Sequence, residues 1–376
     1  MEAGVTFAER RVDRMANLKL LADDLTGALD TVAEFVGVFG PLPVVWPATS
    51  LPQDVQSLAI DSGTRELEPD EAFAFIREIA PQLAGATIAY KKIDSRLRGP
   101  WVAELEACLA IGAWDACIVA PAFPHQGRRT FEGRQYVRAV DGGWSAAGAD
   151  ILRQLRGRGL EARLSSRAAE LQNGISVFDA ESDRELDRIV EIGRAYQGRL
   201  LWCGSGGLAG ALARGTDASV SRQLEAPVLG IFGSDHPATP VQLAMCESVL
   251  IRTHDARSSI DRIKRALDKG AALVALETPL PVSRAEAAQR FAREIMLIAQ
   301  SIDPPKTLIA AGGETLRAHC IAVGAQALQV QGRLEPGLPK SVIQGGAWDG
   351  VEVISKSGAF GPPDLWWKLL RQNRLI

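Results

Sequence analysis

The sequence predicts an α/β protein of two domains, each a mostly parallel sheet flanked by helices, with the active site in the cleft between them. Three observations support this. Short apolar runs alternate with amphipathic stretches along the whole chain, the pattern of strands and helices in βαβ order. Glycine-bearing or acidic turns recur where those runs end, which is where parallel sheets bind their ligands. The 376 residues exceed what one compact core usually serves and suggest about two domains.

In chain order, strands are expected at residues 18–22, 57–61, 87–91, 116–120, 200–203, 228–232, 272–276, 308–311 and 351–354. The apolar pattern lapses between residues 213 and 227, and a fresh strand follows Pro227. The boundary is therefore set at 1–226 and 227–376. Residues 1–14 precede Met15 and the first strand, and are read as an extension outside the fold.

Hydrophobic residues make up 47% of the chain and charged residues 23%, enough for sizeable cores. The 42 basic and 45 acidic residues give a net charge of -3, without the basic surplus that nucleic-acid phosphates demand. Five scattered cysteines include no C-x-x-C pair, which predicts a reduced, cytosolic protein with no zinc or redox motif. No apolar run approaches the ~18 residues of a membrane span. A cytoplasmic enzyme with small-molecule partners is expected, with no nucleic acid and no membrane. Homo-oligomerisation stays open.

The first strand is followed by Asp23-Asp24-Leu25-Thr26-Gly27 and a helix that stops at Gly40-Pro41. One of these carboxylates can take the proton of an attacking hydroxyl while the other orients it or reaches a magnesium ion. Helix capping by Asp24 or Thr26 explains the same residues, and both readings stay open.

Another strand leads into Lys91-Lys92-Ile93-Asp94-Ser95-Arg96-Leu97-Arg98, a loop of four cations and a carboxylate before Gly99-Pro100. Such a loop can hold a substrate carboxylate or neutralise a migrating phosphoryl group. Ile93 and Leu97 are expected to anchor it. Ser62-Gly63-Thr64-Arg65 and Gly127-Arg128-Arg129 bring further arginines to the same rim, and His125 is given no role.

In the second half, Gly312-Gly313-Glu314-Thr315 joins a strand to a helix, and backbone amides there suit nucleotide phosphates. Gly233-Ser234 ends another strand in the same way, and Lys356-Ser357-Gly358 forms a third close-approach turn. Gly204-Ser205-Gly206-Gly207-Leu208-Ala209 matches a degenerate dinucleotide fingerprint but lacks the acidic residue about 20 positions on. It is read as a packing or secondary phosphate turn.

These segments taken in order resemble the four-carbon acid sugar kinases, formerly a domain of unknown function. ADDLTGALD at 22–30, TREL at 64–67, KKIDSRLRGP at 91–100 and APAFPHQGR at 120–128 match in the first half. GSGGLA at 204–209, GSDHPAT at 233–239, GGETL at 312–316, EPGLP at 335–339 and KSGAFG at 356–361 continue the match. The resemblance implies ATP- and magnesium-dependent phosphorylation of D-threonate, D-erythronate, a 3-oxo-tetronate or a related acid.

It also implies an amino-terminal domain for the acid and a carboxy-terminal domain for ATP. Asp24 and Asp23 are the expected catalytic residues. Arg65, Lys91, Lys92, Ile93, Asp94, Ser95, Arg96, Arg98 and Arg128 are expected around the acid. Ser234, Gly312, Gly313, Glu314, Thr315 and Gly358 are expected around the nucleotide, with the metal ligands unassigned. Arg96 stands where the family has threonine, so it is expected to meet an extra anionic or carbonyl group on the substrate. Arg138-Ala139 stands where a glycine is more usual. The rival readings are an NAD(P)-dependent oxidoreductase and a catalytically silent acid-sugar-binding protein.

Overall fold

The computed structural model describes residues 17–47, 55–139, 141–166, 170–233, 236–277, 284–358 and 360–376. The first half contains strands β1 (Leu18–Ala22), β2 (Leu42–Val45), β3 (Leu58–Asp61), β4 (Ile88–Lys92), β5 (Ala116–Ala120), β6 (Arg128–Phe131), β7 (Arg134–Arg138), β8 (Trp144–Ala146), β9 (Ala162–Ser165), β10 (Gly174–Phe178) and β11 (Leu200–Gly204). Its helices are α1 (Leu25–Phe39), α2 (Pro69–Ile79), α3 (Trp101–Ala110), α4 (Ile151–Gly157), α5 (Asp183–Ala195) and α6 (Gly206–Leu212). The second half contains β12 (Val228–Phe232), β13 (Leu250–Thr253), β14 (Ala271–Leu276), β15 (Thr307–Ala311), β16 (Ala327–Glu335), β17 (Leu338–Gln344) and β18 (Glu352–Lys356). Its helices are α7 (Ala238–Ala244), α8 (Ala256–Leu267), α9 (Arg284–Ser301), α10 (Gly313–Ala322) and α11 (Leu365–Gln372).

The first half folds into a parallel sheet in the order β2-β3-β1-β4-β11-β5-β10-β9, with β6-β7-β8 as a small antiparallel sheet beside it. The second half gives β13-β14-β12-β15-β18, again parallel. The sequence did not predict how they join. The β16–β17 hairpin pairs antiparallel with β18 on one side and with β2 on the other, so 15 strands form one continuous sheet.

The hairpin has a physical reason to lie there. Along β16, Leu328 and Val330 alternate with Gln329 and Gln331, giving one apolar face. That face joins the core cluster containing Leu29 and Val32 of α1 and Leu316 of α10. Burying each such side chain contributes roughly 1.5–3 kcal/mol. The two halves are thus fixed together behind the cleft while their strand ends face each other across it. Among the described residues no helix is long and apolar enough to cross a membrane.

Candidate active site

Asp24 has extended backbone and caps α1. Its Oδ1 accepts the Gly27 amide at 2.9 Å and its Oδ2 accepts the Thr26 hydroxyl at 2.8 Å. Arg65, in the turn after β3, donates to both oxygens of Asp23 at 2.7 and 2.8 Å and also reaches Asp24 at 2.8 Å. Cap and site are therefore one construction. Burial alone would raise the Asp23 carboxyl, but Arg65, with Lys92 and Lys91 behind it, holds it below the usual carboxylate range.

The basic loop divides between core and cleft. Lys91 and Lys92 are the last residues of β4, and alternate strand residues face opposite ways. Lys91 turns away from the cleft to an ion pair with Glu104 at 2.7 Å, both side chains fully buried. Glu104 also accepts the Thr64 hydroxyl at 2.5 Å. The acid-binding role expected for Lys91 is thus corrected to one beneath the site. Ile93 is corrected likewise, since its side chain is wholly buried in the core and its amide is bonded to the Gly204 carbonyl at 2.9 Å.

Lys92, by contrast, lines the cleft and forms no ion pair among the described residues. A Cβ added at Gly27 would lie 2.9 Å from its Nζ, so this ammonium rests on the bare face of α1. Asp94 organises the rest of the loop. It accepts two bonds from Arg98, at 3.0 and 2.7 Å, and the amide of Arg96 at 3.0 Å. Burial opposes its charge, but Arg98 and Arg65 hold its carboxyl well below the usual range. Leu97 is buried and held at a φ of 57°, which pins the register of the loop.

Ser95, Arg96, Arg98 and Arg128 all line the cleft. Arg96 lies exposed at the mouth. Arg128 is steadied by Gln126, whose carbonyl and side-chain oxygens it meets at 2.7 and 2.6 Å.

The opposite wall has different chemistry. Gly312 has a φ of 97°, and its amide donates to the Lys356 carbonyl at 2.9 Å, tying β15 to β18 as α10 begins. A Cβ added at Gly313 would lie 3.4 Å from Asp24 Oδ2, so the first turns of α10 and α1 meet across the cleft. Thr315 is buried, Glu314 is exposed, and both line the cavity. Lys356 bends the next loop by donating to the carbonyls of Ser357 and Gly358 at 3.0 Å each, and burial pulls its ammonium down to about 8. Ser234 lies outside the described residues. The walls enclose about 840 Å³, with Leu276, Phe291 and Phe360 forming an apolar stretch beside α10.

Four residues of the site had been assigned no role from the sequence. Arg317 of α10 crosses the cleft to Asp61 at the end of β3, its Nε 3.0 Å from Oδ2. Gly63 makes room for it, since a Cβ there would overlap the guanidinium. Burial raises the Asp61 carboxyl to about 6 against the pull of the half-hydrated Arg317. Lys356 was only part of a motif. Asp30 lines the cavity one turn beyond Gly27, and the i, i+3 spacing of Asp24, Gly27 and Asp30 could have placed all three on one helix face.

The α10 start suits a nucleotide. Its first-turn amides have no partners within the helix, its dipole favours anions, and Gly312 and Gly313 add no side chain to the approach. The residues present therefore fit ATP phosphates, and magnesium would be held chiefly by those phosphates and water. Gly206 and Gly207 are otherwise engaged. A Cβ at Gly207 would lie 2.4 Å from the Ala122 carbonyl oxygen, so this pair packs against the Ala122–Phe123 loop.

Two α/β halves, one presenting side-chain charges and the other a bare helix start, define an enzyme of the kinase class. Residues 18–153 match the sugar-binding N-terminal domain and residues 229–365 the nucleotide-binding C-terminal domain. The chain is 30% identical over 417 residues to D-threonate kinase of Cupriavidus necator, covering 94% of this chain and 98% of that one. It is 29% identical to D-threonate kinase of Bordetella bronchiseptica over 386 residues, covering 92% and 95%. A solved Haemophilus influenzae structure shares the fold, with a TM-score of 0.70 at 18% identity over 95% of this chain and 100% of that one. The chain belongs to the four-carbon acid sugar kinase family.

Proposed function

We propose that this enzyme transfers the γ-phosphoryl group of ATP, with magnesium, to a hydroxyl of a tetronate or 3-oxo-tetronate. The observation that supports this most is the approach of Gly313 to Asp24, which brings a phosphate-competent helix start against a wall of acid-binding charges. In this reading the half up to residue 226 holds the acid and the half from 227 holds the nucleotide. Lys92, Arg96, Arg98 and Arg128 receive the acid's carboxylate and neutralise the migrating phosphoryl group. Asp23 and Asp24 aim Arg65 at the same acid, and Asp94 sets the loop. Gly312, Gly313, Thr315 and Gly358 approach the phosphates, and Leu276, Phe291 and Phe360 cover the adenine.

The test is ADP formation from magnesium-ATP across a panel of D- and L-threonate, D- and L-erythronate and their 3-oxo forms. The proposal requires ADP release stimulated by at least one acid, with stoichiometric phosphorylated acid. Acid binding without ADP would favour a silent binding protein. Reduction of a pyridine nucleotide by the same acids would favour the oxidoreductase.

A further inference from the structure

Helix α1 is buried along most of its surface by Leu25, Ala28, Leu29, Val32 and Phe35. The carboxylates of the cap and helix form one stripe, Asp24, Asp30 and Glu34, with Gly27 between the first two. Stripe residues three or four apart share a face. Phosphoryl transfer to a hydroxyl is assisted by a group free to take the hydroxyl proton, and a carboxylate can serve.

Asp23 is held by two bonds from Arg65, and Asp24 by the Gly27 amide, the Thr26 hydroxyl and Arg65. Glu34 is paired with Arg333 of β16. Asp30 lines the cavity with Asp23 and Asp24 and, unlike the other three carboxylates, forms no ion pair among the described residues. Gly206 opposes it across the cleft floor, where an added Cβ would come to 3.5 Å from its Oδ2. Lys92, itself unpaired, covers the bare Gly27 surface one turn away.

Resting on the acid sugar kinase reading, we propose that Asp30 is the catalytic base. As the acceptor oxygen bonds to the γ-phosphorus of ATP, the acceptor O–H bond breaks and its proton passes to an Asp30 oxygen. The bond from phosphorus to the bridging oxygen breaks with its electron pair, and ADP leaves. Lys92 compensates the charge that builds between them.

The surroundings are consistent with this work. Burial, then the like charge of Glu34, raises the Asp30 carboxyl to about 6, against Lys92, Arg333 and the Gly337 amide. Asp30 is thus ionised at neutral pH and still basic enough to accept a proton.

The experiment compares kcat against pH for the parent, Asp30→Asn, Asp24→Asn and Glu34→Gln, with acid and ATP affinities measured by calorimetry. Asp30→Asn is expected to lose at least about 10²-fold in kcat, to keep both affinities within about threefold, and to lack the acid limb near pH 6. Asp30→Glu should recover part of the rate. Glu34→Gln removes a like charge, so Asp30 titrates lower and the acid limb moves to lower pH, a shift that a purely structural role would not produce. An Asp30→Asn enzyme with near-parental kcat and an unchanged limb overturns the proposal, as does loss of the limb in Asp24→Asn alone. A parent that phosphorylates no acid of the panel instead overturns the kinase reading, and this role for Asp30 with it.

Discussion

In the proposed reading the two walls of the cleft each hold an anion, by opposite means. On the wall up to residue 128, charged side chains would do it, with Arg65 locked by Asp23 and Asp24, Arg98 by Asp94 and Arg128 by Gln126. On the wall around Gly312, backbone would do it, through a helix start that begins on two glycines. A small acid offers few atoms, and fixed forks of charge can tell one acid from another. Phosphates recur in every nucleotide, so an unselective backbone cradle suffices. Substitutions on the first wall should therefore change acid recognition, and those on the second should affect nucleotide binding whatever the acid.

The sharpest contrast lies within the first wall, between two adjacent lysines. Lys91→Met leaves Glu104 charged and buried without its partner, and breaking a buried pair in this way costs about 3–5 kcal/mol. Denaturant melts should show that loss, and replacing both Lys91 and Glu104 by apolar residues should restore most of it. Lys92→Met removes an ammonium with no ion pair to lose. Its stability should fall by less than that of Lys91→Met, since only the longer-range support it lends Asp23 and Asp94 is lost, while acid-dependent turnover falls. Equal stability losses in the two variants would contradict the division between floor and cleft.

That division was partly legible in the sequence. The adjacent lysines end a strand, and strand periodicity sends neighbours to opposite faces. Read as loop residues, both had been assigned to the acid. The bounds of β1, β5 and β12 coincide with the apolar runs that predict them, because buried parallel strands read as continuous apolar segments. The β16–β17 hairpin was missed although β16 alternates cleanly. Its pairing with β2 joins residues nearly 300 apart in the chain, and local pattern cannot specify so distant a partner. The Arg317–Asp61 bridge was hidden for the same reason, being a contact between halves.

The bridge makes a smaller, pH-dependent prediction. Asp61 is raised to about 6 in the folded protein from an ordinary value of 3.8. The folded state thus binds more protons than the unfolded state between those values, and this residue's contribution to stability falls as pH rises from 4 to 7. The change is roughly 3 kcal/mol at most. Asp61→Asn should flatten that part of the profile in melts recorded between pH 4.5 and 7.5, whereas a slope unchanged by the substitution would show that Asp61 does not titrate in this window.

At the cleft mouth the effect is smaller still. Arg96→Thr should weaken the preferred acid by about 1.5–3 kcal/mol if a charged hydrogen bond is lost, and improve simple tetronates relative to it. Parent and variant with the same ranking of acids would place the Arg96 side chain in solvent.

The most direct test of the account is a calorimetric crossover on the full-length protein, titrating a tetronate and magnesium-ADP separately into the parent, Lys92→Met and Gly313→Asp. An aspartate at 313 would set a carboxylate beside the phosphates, where like charges about 4 Å apart cost about 4 kcal/mol at an effective dielectric near 20. ADP affinity should then fall by roughly three orders of magnitude, and tetronate affinity by much less, through the new carboxylate's contact with Asp24. Lys92→Met should do the reverse, weakening the tetronate and leaving ADP within a factor of about two. Loss of both ligands in either variant, or intact ADP binding in Gly313→Asp, would contradict the assignment of one anion to each wall.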